Sequence, residues 1–381
     1  MRIRNTAAMN VLGKLLLLFV SFVFSVLAAE LLARVVFDPV DYLNPTLVAD
    51  KFLNVRIERH TGGHDEWGFR NARRPETADI VCIGDSMTYG MTARARESWP
   101  AVLAEIRGGT VYNMGLGGYG PIQYLHLMKT LAVRLRPKTV IVGFYFGNDF
   151  FDVYNLVRFN ENWSSYAELE GSKVEGGPFV LPRQSGKFLG ELRDWLSKNS
   201  VFYALVSQRS GFGFVREHEF AAMAADKADN LISYRDAKHH VIFNLDPRFR
   251  FLDMRDPRIQ AAMAITPHVM LDMQSVAEQE AMRLIVALIP TKERVYGRLL
   301  ERAGYREKYL RLAEAIDQEN TARAWLAGLL REHHIENVDL LPALEAEVDD
   351  RDLFSPTDPH PNKDGYRVIA ETINRYLTRS R

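Results

Sequence analysis

The sequence predicts an α/β protein built on a doubly wound parallel sheet with helices on both faces. Short apolar runs that end at glycine or proline, as strands covered on both faces do, alternate with longer helical stretches. A strand-then-helix order that repeats along a chain produces parallel strands joined by right-handed crossovers. The predicted strands are residues 79–83, 111–114, 139–146 and 283–289, and the clearest helices are residues 121–135, 257–282 and 305–332.

The composition is that of a globular chain, and it excludes several classes of protein. The 381 residues are 47% hydrophobic and 11% aromatic, which is too apolar for a disordered chain. The 48 basic residues are balanced by 48 acidic ones, so the chain lacks the positive charge on which nucleic-acid binding depends, and no nucleic-acid partner is expected. The single cysteine, Cys82, excludes an intramolecular disulfide and a thiolate metal cage.

The N-terminal segment is the most apolar part of the chain. Residues 15–29 are uncharged and mostly apolar, and the cations that precede them are typical of the cytoplasmic flank of a membrane helix. Glu30 and Arg34 lie four positions apart and can pair while their stems reach toward the headgroups, so a helix over residues 15–37 is long enough to span. We therefore predict a cytoplasmic stub and a transmembrane signal anchor over residues 1–37.

A cleaved signal peptide is the alternative interpretation of this segment, because the small residues near Ala28 resemble a cleavage site. The anchor is favoured, since the apolar pattern continues past that site and Pro39 is the first clear helix breaker. In both interpretations the remaining chain is exported across a membrane. We expect a single-pass protein of a bacterial inner membrane, with the membrane as the partner of its N-terminal helix and the main domain on the periplasmic side.

Beyond the anchor, the pattern divides the chain into a linker, a main domain and an insertion. Residues 38–78 are predicted to be a linker and pre-domain segment, and residues 79–149 together with 257–381 form the main domain. Residues 150–256 lack the strand-helix rhythm and carry clusters of glycine, proline and aromatic residues. We expect this inserted subdomain or lid to lie over the carboxyl ends of the strands, where open α/β sheets bind ligands.

A serine and a histidine occur where nucleophilic catalysis would use them. Ser86 ends the triplet Gly84-Asp85-Ser86, directly after the first predicted strand, at a strand-to-helix turn that exposes a hydroxyl. Near the C-terminus, Asp358 precedes His360 by two residues on a predicted extended loop. An acid at this spacing can fix the imidazole tautomer, so that the second ring nitrogen takes a proton from a serine.

Two further blocks offer hydrogen-bond donors at strand ends. Residues 113–120 are rich in glycine, which lets backbone N–H groups approach a ligand closely, and Asn148 follows the third strand with an amide. With a nucleophile and a base, such donors complete the set needed for acyl transfer through a tetrahedral intermediate. The glycines also match a dinucleotide-binding fingerprint, but the acid that such a site carries about twenty residues further on is missing.

The four blocks resemble those of the SGNH (GDSL-type) hydrolase superfamily, over residues 79–149 and 283–377. The resemblance implies a flavodoxin-like three-layer fold, an esterase or acyltransferase activity, and no cofactor or metal. It also implies a catalytic triad and an oxyanion hole to which the nucleophile contributes its own backbone N–H. The residues are Ser86 as nucleophile, His360 as base, Asp358 as its orienter, and Gly118 and Asn148 as the other two oxyanion donors. Many members carry Asp-x-x-His where this chain has Asp-x-His.

Two cations are candidate substrate contacts. Arg70 lies in an aromatic and polar stretch, residues 65–71, of the kind that contacts sugars or phosphates. Lys292 follows the fourth predicted strand, in a stretch, residues 289–296, that resembles SGNH proteins related to bacterial polysaccharide O-acetylation. The structural alternatives are a tether that packs on the sheet for the Arg70 segment, and the start of a solvated helix for Lys292.

These observations together predict a membrane-anchored, extracytoplasmic serine hydrolase whose substrate is an acyl ester, with a carbohydrate-linked ester as one candidate. Transfer of the acyl group, usually acetyl, to a hydroxyl of an envelope or exported polysaccharide uses the same residues and stays open as an alternative. A second alternative is a catalytically silent binding or assembly protein of the same fold, and the complete set of catalytic residues disfavours it.

Overall fold

The predicted parallel sheet is present and has five strands. The computed structural model describes residues 2–174, 188–207 and 230–379. The strands, in chain order, are β1 (Leu47–Asp50), β2 (Asn54–Ile57), β3 (Ile80–Gly84), β4 (Val111–Gly115), β5 (Thr139–Tyr145), β6 (Leu231–Arg235), β7 (His240–Asn244), β8 (Arg283–Ile289) and β9 (Glu336–Asp339). In the large sheet the order is β4-β3-β5-β8-β9 and every neighbouring pair is parallel, which confirms the α/β class. The pairs β1–β2 and β6–β7 form separate antiparallel hairpins.

Helices connect the strands and cover both faces of the sheet. In chain order they are α1 (Arg2–Val36), α2 (Ser86–Tyr89), α3 (Trp99–Arg107), α4 (Pro121–Thr130), α5 (Asp149–Phe159), α6 (Phe188–Asn199), α7 (Val201–Ser207), α8 (Asp246–Phe251), α9 (Pro257–Gln279), α10 (Lys292–Val295), α11 (Gly297–Arg302), α12 (Tyr305–Lys308), α13 (Leu310–Glu332), α14 (Leu341–Glu347) and α15 (Lys363–Arg379). The single helix predicted over residues 305–332 is divided at Tyr309, and the strand β9 that follows it was not predicted.

Successive residues of the central strands pack alternately into two separate hydrophobic clusters, one on each face of the sheet. Along β3, Val81 and Ile83 join the cluster that contains the buried residues of α4, α5 and α9. Ile80 and Cys82 join the cluster on the opposite face, with α3 and α15. Because both faces are covered, the strand is apolar along its whole length, as the sequence pattern indicated. Cys82 is therefore a core residue, and burial raises the pKa of its thiol.

Three glycines let the turn after β3 lie directly on the edge of the sheet. Gly84 is in register with Gly115 on one neighbouring strand and with Gly143 on the other. A Cβ at Gly143 would lie 2.6 Å from Thr88 Oγ1, one at Gly84 would overlap the same hydroxyl, and one at Gly115 would overlap the backbone nitrogen of Tyr89. Helix α2 could not occupy this place above larger residues. The glycines at the strand ends thus position the turn that begins at residue 86.

The segment predicted as an insertion, residues 150–256, takes part in several regions of the molecule. Helix α5 packs in the same cluster as α4 and α9, so this part belongs to a helical layer of the sheet and not to a separate lid. The hairpin β6–β7 places Val241 and Phe243 in the opposite cluster. Helix α7 packs against α1 and α6. The domain boundaries themselves stay a prediction, and residues 175–187 and 208–229 of this segment lie outside the described residues.

Helix α1 contains a stretch, Leu12–Val36, that is long and apolar enough to cross a membrane. A signal sequence near an N-terminus would meet the same criteria of length and composition. The expected pair is present, with Arg34 Nε 2.6 Å from Glu30 Oε1. The large apolar side chains between residues 12 and 27 are exposed in the structure.

Candidate active site

Ser86 is the first residue of α2, at the carboxyl end of β3. The Asp85 carboxylate caps this short helix by accepting a hydrogen bond from the Met87 N–H at 2.9 Å. Gly90, with a φ of 86°, ends the helix in the left-handed conformation. The turn leaves the Ser86 side chain partly exposed at the carboxyl edge of the sheet, where ligands bind in open α/β folds.

His360 and Asp358 form a hydrogen-bonded line with Ser86. The Ser86 hydroxyl lies 2.7 Å from His360 Nε2, and His360 Nδ1 contacts Asp358 Oδ1. When Nδ1–H donates to the carboxylate, Nε2 is free to accept the proton of the serine hydroxyl. The Asp358 Oδ1 atom also accepts the backbone N–H of His360 at 3.0 Å. One carboxylate oxygen thus holds both the ring and the backbone of a histidine two residues away, which explains how the short Asp-x-His spacing suffices.

The charge state of Asp358 suits an orienting role. Burial by itself would raise the pKa of this carboxyl, but the hydrogen bonds and charge of His360 and the ammonium of Lys292 outweigh it and hold the pKa below its ordinary value. The carboxylate is therefore ionised at neutral pH. A negative charge at this position stabilises the imidazolium that would form when His360 takes a proton.

Lys292 lies beneath the loop that carries Asp358 and His360, and not at a substrate-binding surface as predicted. Its side chain is 1% exposed. The ammonium donates to the backbone carbonyls of Ile242 at 3.1 Å, Ser355 at 2.7 Å and Pro356 at 2.9 Å. Three donors are thereby used, so none is left for a substrate. Burial lowers the pKa of Lys292 to about 8, although the carboxylates of Glu293 and Asp358 oppose this shift. Lys292 joins the hairpin β6–β7 to the histidine loop.

We predict that the substitution Lys292→Met lowers both stability and any activity that depends on His360. Methionine keeps most of the volume but leaves the loop carbonyls without a donor, at about 1–3 kcal/mol for each group that stays buried. The melting temperature and kcat/KM should both fall, kcat/KM by about tenfold or more as the loop loses its position. Lys138→Met is the matched control, because the Lys138 side chain is 85% exposed. Unchanged melting and kinetics in K292M would contradict this role.

Arg70 is mostly engaged within the protein, although it also lines the second cavity described below, so its role as a substrate contact stays a prediction. Its guanidinium donates to Asp41 Oδ1 at 2.8 Å, to the Gly90 carbonyl at 2.7 Å and to the Ala93 carbonyl at 3.0 Å. It also lies over the Tyr89 ring. The residue is 8% exposed, so its donors serve the protein. Arg70 ties the linker before β1 to the loop after α2, in agreement with the alternative of a structural tether.

The two predicted oxyanion donors lie on loops at the same edge of the sheet. Gly117 packs against the nucleophile, since a Cβ at Gly117 would lie 3.6 Å from the Ser86 Cβ. The next residue, Gly118, has a φ of 81°, a left-handed conformation that favours glycine, and a Cβ there would meet open space. Within residues 2–174, 188–207 and 230–379, no protein group accepts the Gly118 N–H. This N–H is thus available to a ligand.

Asn148 precedes α5, and its amide is held by a carboxyl group. Asn148 Nδ2 donates to Asp152 Oδ2 at 2.6 Å, one helical turn further on. An amide nitrogen carries two hydrogens, and Asn148 also hydrogen-bonds the Asp85 carboxyl, so the amide is oriented between two acids. Sequence reasoning missed Asp152. The spacing of four residues between Asn148 and Asp152 at the start of a helix is the signal that could have indicated the contact.

Buried acids lie close beneath these donors. Asp85 is fully buried, and burial raises its pKa to about 6, against the hydrogen bond from the Met87 N–H, the charge of His360 and hydrogen bonds from Asn148 and Ser86. Burial, together with the charge of Asp85, also raises the pKa of Asp149, which accepts the Tyr124 hydroxyl at 2.8 Å. The shift favours a neutral Asp149, whereas Asp85, with a pKa of about 6, is protonated only below that pH. A neutral Asp149 near these donors avoids the repulsion that a carboxylate would exert on a developing oxyanion.

We predict that Asp85→Asn changes how stability depends on pH. The folded chain holds the Asp85 proton up to about pH 6, whereas an unfolded aspartate releases it near 3.8. The stability that Asp85 contributes is therefore full below about pH 4 and is lost as the pH rises through 6. The difference of 6 − 3.8 pKa units corresponds to about 3 kcal/mol. Asparagine does not titrate, so D85N should gain about this much relative to the wild type between about pH 4 and pH 7.

Melting temperatures of D85N and of the wild type, each measured at about pH 4 and about pH 7, report this difference in stability. The control is Asp350→Asn, because the Asp350 side chain is 80% exposed. If the difference in melting temperature between D85N and the wild type stays constant with pH, Asp85 does not titrate in this range.

Two cavities flank Gly117 and share part of their walls. The first, of about 570 Å³, lies between the hairpin β1–β2 and α5. The second, of about 720 Å³, lies between the linker of residues 40–45 and the loop after α2. Both are lined by Leu47, Leu116 and Gly117, and the two cavities together are called the groove below; Gly117 lies against Ser86, while Ser86 and His360 line neither cavity. The linker and the hairpin, which precede the sheet in the chain, thus build a wall of the candidate site.

No family model and no curated protein matches this chain. Among solved structures, a member of the lipolytic protein G-D-S-L family from Veillonella parvula is 14% identical, with a TM-score of 0.35, and the match covers 79% of this chain and 98% of that one. A catalytic mutant of Axe2, an acetylxylan esterase from Geobacillus stearothermophilus, is 11% identical, with a TM-score of 0.35 and coverage of 80% and 95%.

Proposed function

We propose that this chain is a serine acyl-ester hydrolase of the SGNH type. The observation that carries the proposal is the hydrogen-bonded line of Ser86, His360 and Asp358, with 2.7 Å between the serine Oγ and the imidazole Nε2. A serine at a strand-to-helix turn, paired with a histidine that a carboxylate orients, is the arrangement that activates a hydroxyl as a nucleophile. The free N–H of Gly118 supports the oxyanion-hole part of the proposal.

The residues would act in two half-reactions. Ser86 Oγ attacks the ester carbonyl carbon while His360 Nε2 takes the hydroxyl proton, and Asp358 stabilises the imidazolium. The oxyanion accepts hydrogen bonds from the backbone N–H groups of Ser86 and Gly118 and from the Asn148 amide. The intermediate then collapses, and the alcohol leaves with the proton from His360. Water repeats the sequence on the acyl-enzyme, with His360 as base, and releases the acid.

A covalent probe tests the nucleophile directly. A fluorophosphonate should phosphonylate Ser86 in the full-length, detergent-solubilised protein, with loss of fluoride. Mass spectrometry of the intact protein and of its peptides should locate one adduct, on Ser86. An adduct on a different serine, or none while a known serine esterase reacts in the same buffer, would reject the hydrolase proposal and favour a silent binding protein of the same fold.

Transfer of the acyl group to a sugar hydroxyl is the second candidate, and the groove favours it. Two cavities on either side of Gly117 give room for an acyl group and for a separate alcohol, and Asn54, Gln123 and Asn155 in the first cavity offer polar contacts. Oligosaccharides added to a p-nitrophenyl acetate assay should then yield O-acetylated sugars by mass spectrometry. Release of free acetate alone, at every acceptor concentration, would favour hydrolysis.

We also propose that α1 is an uncleaved anchor that places the catalytic domain outside the cytoplasm, on the periplasmic side of a bacterial inner membrane. The positive residues before the apolar stretch and its length support this orientation. The mass of the mature protein distinguishes the two alternatives. A chain that begins near Ala29 would show a cleaved signal peptide and overturn the anchor.

A further inference from the structure

We propose that α6 and α7 form a membrane foot, defined as residues 188–207, that lies at the lipid headgroups beside the outer end of α1. The foot holds the catalytic domain at a set height and orientation above the bilayer. This inference rests on the proposed insertion of α1 in a membrane and does not depend on the esterase chemistry.

The foot is tied to α1 by polar contacts at its outer end. The Glu30 carboxylate accepts hydrogen bonds from the Ser200 hydroxyl at 2.8 Å and from the backbone N–H groups of Val201 at 3.1 Å and Phe202 at 3.0 Å. Arg34 Nη2 donates to the Asn199 carbonyl at 2.6 Å. The Glu30 carboxylate thereby caps the N-terminus of α7, and Arg34 binds a carbonyl at the C-terminus of α6. The level of the foot along α1 is therefore set by residues 30–34.

An apolar cluster supports the same junction. Ala33 of α1 and Val201 of α7 are buried together with Leu43 of the linker, and Phe37 and Phe202 pack around them. The linker also meets α6 through the Asn44 N–H, which donates to the Ser197 carbonyl at 2.9 Å. Anchor, foot and catalytic domain are thus joined in one place, so the foot cannot rotate independently of α1.

The length of α1 puts this junction at the membrane surface. Residues 15–29, between Lys14 and Glu30, carry no charge and rise about 21 Å, less than the ~30 Å of a bilayer hydrocarbon core. The long side chains of Lys14, Glu30 and Arg34 can extend toward the headgroups at either end, so the outer boundary of the core lies near residues 30–34. A segment hydrogen-bonded to Glu30 and Arg34 then lies at the headgroup level.

The exposed surface of the foot suits that level. Leu192 is 46% exposed and Trp195 is 59% exposed, and three positions apart on a helix they share a face. Asp194 and Lys198 pair at 2.6 Å on the neighbouring face of α6. An exposed tryptophan and leucine beside charged side chains suit the interface between the lipid headgroups and the apolar core, where tryptophan is enriched. The occupant of this face that the junction with α1 favours is therefore lipid.

The position of the foot has a consequence for the substrate groove. Val40 and Asp41 line the second cavity and follow the last residue of α1, Val36, by a few positions. At about 3.6 Å per residue at most, this end of the groove lies within about 20 Å of the end of α1. The foot would thus present the groove to esters that are themselves held near the membrane.

Cysteine labelling of the full-length chain in nanodiscs tests the foot. The native thiol, Cys82, is fully buried, so an introduced cysteine is the site that a nitrobenzoxadiazole dye will label. The variants are Trp195→Cys and Leu192→Cys in the foot, Phe19→Cys within α1, and Leu310→Cys, an equally apolar and 76% exposed position on α13. Nitroxide lipids with the spin label near the headgroup or deep in the acyl chain report depth. Variants are used only if they melt like the wild type.

At positions 195 and 192 we expect blue-shifted emission that shallow nitroxides quench more than deep ones. The dye at position 19 should be quenched mostly by deep nitroxides, and the dye at position 310 by neither. Dyes at 195 and 192 that behave like the one at 310, while position 19 is quenched, would overturn the foot and leave the anchor intact. An unquenched dye at position 19 would reject both the anchor and the foot. The fluorophosphonate reaction of Ser86 is independent of either outcome.

Discussion

Replacing Ser86 by alanine is expected to lower kcat/KM for short p-nitrophenyl esters by at least about 1,000-fold. The substitution removes the atom that attacks the ester carbonyl, while the backbone N–H of residue 86 and the other oxyanion donors remain. Residual activity should come only from transition-state stabilisation of direct attack by water. The expected change is in kcat, because the groove, in which the ester would bind, is not altered. Steady-state kinetics on the detergent-solubilised chain measures both parameters.

The matched control for S86A is Ser275→Ala, the same substitution at an exposed position on α9. S275A should retain the wild-type rate. The variant S86A should also melt close to the wild-type temperature, since a partly exposed hydroxyl contributes little to stability. Equal kcat/KM in S86A and the wild type would reject Ser86 as the nucleophile, and with it the proposed mechanism.

Replacing His360 by alanine is the second substitution with a large expected effect, again about 1,000-fold or more in kcat. Without the imidazole, no group accepts the Ser86 proton in attack or returns it to the leaving alcohol. The truncation leaves a space beside Asp358, so imidazole added to the buffer should restore part of the activity in a concentration-dependent way. A variant that had lost activity only because its loop had moved would not respond to imidazole.

His268→Ala is the control for H360A, because His268 lies exposed on α9, and it should be neither impaired nor stimulated by imidazole. Retention of wild-type kcat in H360A would show that a different group is the base. Restoration by imidazole in H360A, together with loss of fluorophosphonate labelling in S86A, would assign the two roles independently.

The convergence of the candidate catalytic blocks could be predicted from the sequence because it follows from local rules. Ser86 and Asn148 each follow a strand directly, and the carboxyl ends of parallel strands meet at one edge of a sheet. The continuous apolar runs that end at glycine or proline predicted the strands themselves, and Cys82 lies inside one of these runs and in the core. The short Asp-x-His motif is also local, since one carboxylate oxygen contacts the residue two positions on.

The roles of the cations could not be predicted in this way. Lys292 occurs near a strand end, as a substrate-binding residue would, but its partners are carbonyls of residues 242, 355 and 356. Arg70 binds Asp41 and the loop after α2. A long charged side chain reaches groups from any element packed nearby, so its role depends on contacts distant in sequence.

The sequence by itself determined the α/β class, the order of the catalytic blocks and the apolar character of the N-terminal helix. Each depends on periodicity or on residues adjacent in the chain. The tertiary structure alone decided that the linker and β1–β2 wall the groove, that Asp152 holds Asn148, and that the foot is joined to α1. These arrangements join segments up to 172 positions apart, as between Glu30 and Phe202, and which segments meet is set by the packing of the whole chain.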